Sequence, residues 1–322
     1  MNAIETRIHA LHQYVPELTA PTDLEDFWEQ IALEAAESME FSVEQVTSPF
    51  LQAKVYKVIL EGAANTRIHA WYMLPIFHQP HPLPCIVTFH GYSDSKGQPE
   101  NHAAWLLMGY AVFAIDIRGQ GGETGNGLMQ AYGMTKGWVT QGILEPESSY
   151  YRAVAIDCLR AVRCALIMPE IDPERVFVFG GSQGGGLALL VSAIEPNLRA
   201  VIAHVPNMCH MDLAILQSVS SVIEVAEFVT RFPDSLDKVL RTLSYFDIMN
   251  LAHRIKLPVH VTVGLKDTTC LPEAIFAAYN RIVSVNKTIE VHPFMGHALP
   301  PGFHAAGHAF FSQLHTGKNI IA

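Results

Sequence analysis

Residues 180–186 read GGSQGGG, five glycines and one glutamine around a single serine, Ser182. Each glycine gives up conformational entropy on folding, so such a cluster is unfavourable unless the backbone path demands it. The flanks say what the path is. RVFVF (175–179) is a short β-branched and aromatic run of the kind that forms a buried strand. LALLVSAI (187–194) is apolar and long enough to open a helix. A strand, a glycine-rich bend, an exposed serine and a helix make up a nucleophile elbow.

The rest of the chain fits an α/β protein with a large core. It has 322 residues, 49% of them hydrophobic and only 16% charged, with a formal charge of −10. That balance favours solubility and argues against nucleic acid as a partner. The opening MNAIETRIHALHQYV has no basic start followed by an apolar core, so no secretory signal is expected. No apolar run reaches the roughly 18 residues of a membrane span. Cys85, Cys158, Cys164, Cys209 and Cys270 are scattered and odd in number, which points to free thiols and a cytoplasmic setting.

TDLEDFWEQIALEAAESM predicts a helix, with Thr22 and Glu25 as a capping box and acidic residues at the positive end of its dipole. QAKVYKVIL and TRIHAWYML, parted by EGAAN, predict an antiparallel hairpin. Strand and helix patterns then alternate to the end. PCIVTF, AVFAIDI, RVFVF, RAVIAHV, PVHVTVGL and KTIEVHPF are the strand candidates. This alternation predicts a mostly parallel twisted sheet with helices on both faces. About 50 residues between Asn207 and Leu257 are helical in character and lack a strand. A connection that long suggests a helical cap over a site at the strand ends. The expected organisation is one domain, 1–322, with an N-terminal helix and hairpin (about 22–75) and a cap insertion (about 207–257).

Gly180 to Gly184 match G-x-S-x-G, and the match gains its weight from lying between a strand and a helix. A serine hydroxyl needs a base to take its proton and an acid to orient that base. In this motif's setting they follow in the order acid, histidine. Asp267, in PVHVTVGLKDTTCLP, lies just past a strand, and His297, in IEVHPFMGHALP, lies in the loop after the last strand. Asp212 and Asp247 fall in the insertion, and His292 lies within a strand. His304 and His308 have metal-ligand spacing, but Ala305 stands where the glutamate of HExxH would be and no third ligand is evident. GxxxxGK[ST] and GxGxxG are both absent from this segment, and no cofactor is expected. Two main-chain donors are expected for a developing oxyanion. One is the amide of Gln183, and the other is the amide of Tyr92 in the HGY turn (90–92) after PCIVTF.

RGQGG (118–122), GGSQGG (180–185), HGY and YFDIMNLAHRIKLPVHVTVGLKDTTCLP together resemble carbohydrate esterase family seven, the acetyl xylan esterases and cephalosporin C deacetylases. The likeness runs over nearly the whole chain. It implies an intracellular enzyme of α/β-hydrolase fold that removes acetyl groups from short xylo-oligosaccharides and tolerates other small acetyl esters. It implies a triad of Ser182, Asp267 and His297, with the Tyr92 and Gln183 amides as the oxyanion hole. It also implies a homo-oligomer, commonly a hexamer with inward-facing sites. The family usually carries glutamate after the catalytic histidine, where this chain has Ala298. Arg118 is read as a buried structural charge near the site. A peptidase or amidase on the same fold and a non-catalytic binding protein are the alternatives. A neutral His297 is required of a base, so activity is expected to fade below about pH 6.

Overall fold

The hairpin read from QAKVYKVIL and TRIHAWYML is the start of a larger sheet. The computed structural model describes residues 1–77, 82–130 and 137–315. Among them are the strands β1 (Phe41–Val46), β2 (Ala53–Glu61), β3 (Arg67–Pro75), β4 (Leu83–Phe89) and β5 (Ala111–Ile115). They are followed by β6 (Ile171–Gly181), β7 (Ala200–His204), β8 (Val259–Gly264) and β9 (Lys287–His292). All belong to one sheet in the order β1-β2-β3-β5-β4-β6-β7-β8-β9. β1, β2, β3 and β5 are joined by antiparallel pairings, whereas from β5 to β9 every pairing is parallel. This is the architecture of the α/β-hydrolases.

β5 and β7 are buried at every position, as predominantly apolar strands are when both faces of a parallel sheet are covered. On one face lie the helices Leu24–Ala36, Tyr150–Leu166, Gln183–Ile194 and Pro272–Tyr279. On the other, Ala103–Leu107 and Phe303–His315 cover Ile86, Val112 and Phe177. There Phe311 stacks on Phe177 with ring centroids 4.2 Å apart. The chain leaves β4 toward β5 and later returns to β6 on β4's other side. The carboxyl ends of β4 and β6 therefore flank the point where the winding reverses, the usual place for a site in an open parallel sheet.

Three local features differ from the sequence reading or extend it. The helix Leu24–Ala36 is not closed by a Thr22 capping box. Asp23 is its N-cap and makes no side-chain cap bond, because its carboxylate accepts the Tyr245 hydroxyl at 2.5 Å instead. A tertiary partner has taken the capping group, while Glu25 and Asp26 do occupy the first turn. β1, which was not among the strand candidates, pairs with β2 along the sheet edge and is largely exposed. The first residues form a further helix, Ala3–His12, closed by a capping box between Asn2 and Glu5. This helix docks on Pro272–Tyr279. His12 meets Phe276 edge-on at 5.0 Å, Arg7 pairs with Glu273, and Asn280 donates to the carbonyls of Leu11 and Tyr14, each at 2.9 Å.

The stretch between β7 and β8 folds as the helices Met211–Gln217, Ile223–Arg231, Leu236–Phe246 and Ile248–Leu251. Val225, Phe228, Val239 and Leu243 bury its apolar side in the main core. Asp247, buried here, accepts the backbone N–H groups of His210, Met211 and Met249 and so ties the helices together. No described helix is long and apolar enough to cross a membrane.

Candidate active site

Ser182 directly follows β6, as the N-cap of the helix Gln183–Ile194, with φ 57° and ψ −122°, a strained combination for an L-residue. Three backbone bonds hold it there. Its N–H donates to His204 O (2.9 Å), and its carbonyl accepts from Gly186 N (3.0 Å) and Asn207 N (2.9 Å). The glycines on either side are required by close approach. A Cβ on Gly180 would collide with the Gly184 carbonyl, and one on Gly184 would collide with that of Phe89. The elbow is thus squeezed between its own helix and the end of β4, and the Ser182 side chain remains only half-buried.

Two loops bring partners to that hydroxyl. Past β9, His297 places Nε2 2.9 Å from Ser182 Oγ. Past β8, Asp267 places Oδ2 2.8 Å from His297 Nδ1. The carboxylate is buried, and its other oxygen accepts the N–H groups of Thr269 (2.8 Å) and Cys270 (2.9 Å), so it cannot swing away. The distances join a hydroxyl, an imidazole and a carboxylate into one hydrogen-bonded chain. An imidazole held in this way takes a proton at Nε2 while its Nδ1–H faces a negative charge.

The loop after β4 passes over the elbow, with Gly91 against Ser182. His90 fixes this loop: Ile117 N–H donates to its Nε2 (2.8 Å), and its Nδ1 lies 2.7 Å from Gly91 O. Burial lowers the pKa of His90 and keeps the ring neutral, as that pattern needs. Tyr92 follows. Its hydroxyl donates to Glu224 Oε2 at 2.5 Å and accepts the Trp138 N–H at 2.9 Å. Gln183 is the first residue of its helix, so its N–H has no partner within that helix and points out of its N-terminal end.

A pocket of about 500 Å³ opens beside Ser182 and His297. Trp105, Phe179 and Phe303 give it apolar wall, and Asn101, His102 and His304 give it polar edges. Its residues come from the ends of β4 and β6 with the elbow, from the loops after β4, β7 and β9, and from the two helices of the second face. Among the described residues none of the lining comes from 207–257, which reaches the site through the Asn207 N–H on the Ser182 carbonyl and through the Tyr92–Glu224 bond. Ala298 is exposed on the rim. A larger cleft of about 680 Å³ beside β1 and β2 contains no comparable nucleophile and base, so volume alone does not select the site.

Arg118 is fully buried and bonds both oxygens of Asp157 at 2.6 and 2.7 Å and the carbonyl of Ala63 at 2.8 Å. Those partners tie β5's exit loop to the helix Tyr150–Leu166 and the turn after β2. His304 and His308 go to different aromatic neighbours, Trp105 and Tyr110. Sequence reasoning passed over Cys270, whose buried thiol lies with Asp267 and His297 in a cluster of ligand-type atoms within 4.8 Å of one another. Burial pushes this thiol's pKa well up, so it stays protonated. The D-x-x-C spacing after a strand was visible, but nothing local aims that side chain inward.

Residues 1–315 match the model of the acetyl xylan esterase (AXE1) family. The acetyl xylan esterase of Paenibacillus sp. R4 superposes with a TM-score of 0.90 at 36% identity, over 94% of this chain and 98% of that one. Acetyl xylan esterase 1 of Thermoanaerobacterium sp. JW/SL YS485 gives 0.89 at 30% identity, over 95% and 98%. A curated relative, acetyl esterase Axe7A of Xylanibacter ruminicola, is 25% identical over 197 residues, which are 60% of this chain and 44% of that protein. The chain therefore spans less than half the length of that relative. By the family match over nearly its full length, and by fold likeness to two esterases at 30% identity or more, the chain belongs to the acetyl xylan esterase family.

Proposed function

We propose that the protein is a serine esterase that removes acetyl groups from small acetylated carbohydrates, xylo-oligosaccharides above all. The observation that carries this reading is the continuous bond chain from Ser182 Oγ through His297 to Asp267. Ser182 Oγ attacks the acetyl carbonyl as its proton moves to His297 Nε2. Asp267 faces the imidazolium that forms, and the Gln183 and Tyr92 amides receive the oxyanion. The tetrahedral intermediate collapses, and the sugar alkoxide leaves with the proton held on His297. Water then attacks the acetyl-enzyme with His297 as base, releasing acetate and restoring the serine.

Family membership supports the acetyl group as the acyl part, and a pocket of about 500 Å³ has room for a substrate of sugar size. The same chemistry extends to the acetyl ester of cephalosporin C. Five buried free cysteines accord with action in a reducing cytoplasm, and the family resemblance carries the proposal of a homo-oligomer, a hexamer. The test is acetate release from acetylated xylo-oligosaccharides, cephalosporin C and an amide matched to one of the esters, alongside solution mass. The expected result is release from the esters with little from the amide. Equal or faster amide cleavage would replace the esterase by an amidase, and no release from any ester would end the reading.

A further inference from the structure

The R-G-Q stretch offers, besides the buried Arg118, a second side chain whose position calls for an explanation. Gln120 is 8% exposed, and its amide uses all four of its hydrogen-bonding sites. Oε1 accepts the Ser93 N–H (2.8 Å) and Gln183 Nε2 (3.2 Å). Nε2 donates to Gln183 Oε1 (2.9 Å) and to the Tyr150 hydroxyl (2.9 Å). Tyr150 in turn donates to Arg118 O at 2.6 Å, closing the network on the loop that carries Gln120.

Two of these partners matter for chemistry. Ser93 follows Tyr92 directly and sits at φ 64°, a left-handed conformation that needs something to hold it. Gln183 follows the nucleophile. One buried amide therefore bridges the two backbone segments whose N–H groups are assigned to the oxyanion.

We propose that Gln120 is a positioning residue that fixes the spacing of the Tyr92 and Gln183 amides, and so sets how well the site binds the tetrahedral oxyanion. The inference rests on the oxyanion assignment made above. The reason for a strong effect is geometric. Preorganised donors stabilise an oxyanion only when they are already aimed at the place it will occupy, and a loop free to shift loses that advantage. The substrate carbonyl in the ground state asks much less of the same donors.

The test compares the parent enzyme with Gln120→Met, which keeps the side-chain volume and removes every polar contact. Gln183→Met is the second variant: it removes the other half of the amide pair and leaves the backbone N–H of residue 183 in place. Each is measured for kcat and KM on an acetyl ester, for melting temperature, and with a small trifluoromethyl ketone followed by fluorine NMR. Ser182 Oγ adds to the ketone carbon, its proton goes to His297 Nε2, and the carbonyl π pair becomes the oxyanion of a hemiketal. The expected result is a fall of about 10- to 100-fold in kcat with KM within about threefold, and a hemiketal that ionises less readily than in the parent. The double variant is expected to lose little more than either single one, because both break the same contact.

A lower melting temperature with kcat and hemiketal ionisation unchanged would reduce Gln120 to a structural residue and overturn the proposal. A parent enzyme that forms the hemiketal without stabilising its anion would overturn the oxyanion assignment itself, and this inference with it. If Gln120→Met does not fold, Gln183→Met alone decides between these outcomes.

Discussion

Gly184 lies so close to Phe89 that a Cβ built on the glycine would collide with the carbonyl oxygen of the phenylalanine. The obstacle is backbone at the end of β4, not the flexible tip of a side chain. Gly184→Ala must therefore push the serine bend away from the loop over it. The expected cost is about 1–3 kcal/mol of stability, with a marked loss of kcat, read by urea unfolding and steady-state kinetics. An alanine variant as stable and as active as the parent would show that the elbow is not constrained in this way.

Ser182→Ala removes the attacking oxygen and leaves the backbone bonds to His204, Gly186 and Asn207 available. Turnover of an acetyl ester is expected to fall by roughly 10⁴- to 10⁶-fold with an unchanged melting curve. A fluorophosphonate probe is expected to label the parent and not the variant. Near-normal acetate release from the variant would remove the serine from its proposed role.

Tyr92→Phe separates the loop over the site from the insertion. The tyrosine hydroxyl bonds Glu224 and the Trp138 N–H, and burial raises its pKa, so it remains a donor throughout the working range. Losing it removes one donor to Glu224 and the acceptor of the Trp138 N–H, at an expected cost of about 1–3 kcal/mol. Faster proteolytic cleavage within 207–257 is expected as well. A variant with parental unfolding and cleavage rates would mean that the bond contributes nothing to holding the insertion.

Stability is expected to fall on acidification. Burial lowers the pKa values of His90, His102 and His260, and brings that of His204 down to about 3 from 6.5. Between those limits the unfolded chain binds protons that the folded one refuses. Each such histidine therefore adds stability that is fully present above about pH 6.5 and is lost as the pH falls, at up to ~1.4 kcal/mol per pH unit. Asp247 works the other way, since burial pushes its carboxyl up to about 7 from 3.8 and its contribution fades as the pH rises through that range. With His69, His210 and His304 lowered by burial as well and the Asp157 carboxyl raised by it, seven histidines stand against two carboxyls and give a net loss toward acid. Thermal unfolding at pH 5.0, 6.0 and 7.5 checks the sign, and a melting temperature that holds level or rises toward pH 5 would refute it.

The elbow was legible because its signals are local: a β-branched strand, close-packed glycines and an apolar helix lie within twenty residues. Asp267 and His297 were legible because chain order and strand ends limit the choices, and the distances bring both to Ser182. What escaped depends on contacts far apart in sequence. Asp23 looks like part of a capping sequence until Tyr245, 222 residues later, takes its carboxylate. β1 breaks its alternation where Glu44 and Gln45 adjoin, is largely exposed, and gains its strand identity from the β2 edge. Gln120 is one of many glutamines until the loops of Ser93 and Gln183 close around it. The insertion is helical as its composition suggests, yet the pocket walls come from 88–105, 179–182, Val205 and 297–304 instead, because the apolar sides of its helices turn toward the core.

The opening helix, Ala3–His12, has its partners at Glu273, Phe276 and Asn280. The polar contacts among these join residues 266 to 269 positions apart in the chain. The clasp therefore cannot close until synthesis has passed Asn280, and a nascent chain halted before Glu273 would leave the helix Ala3–His12 without any of these partners.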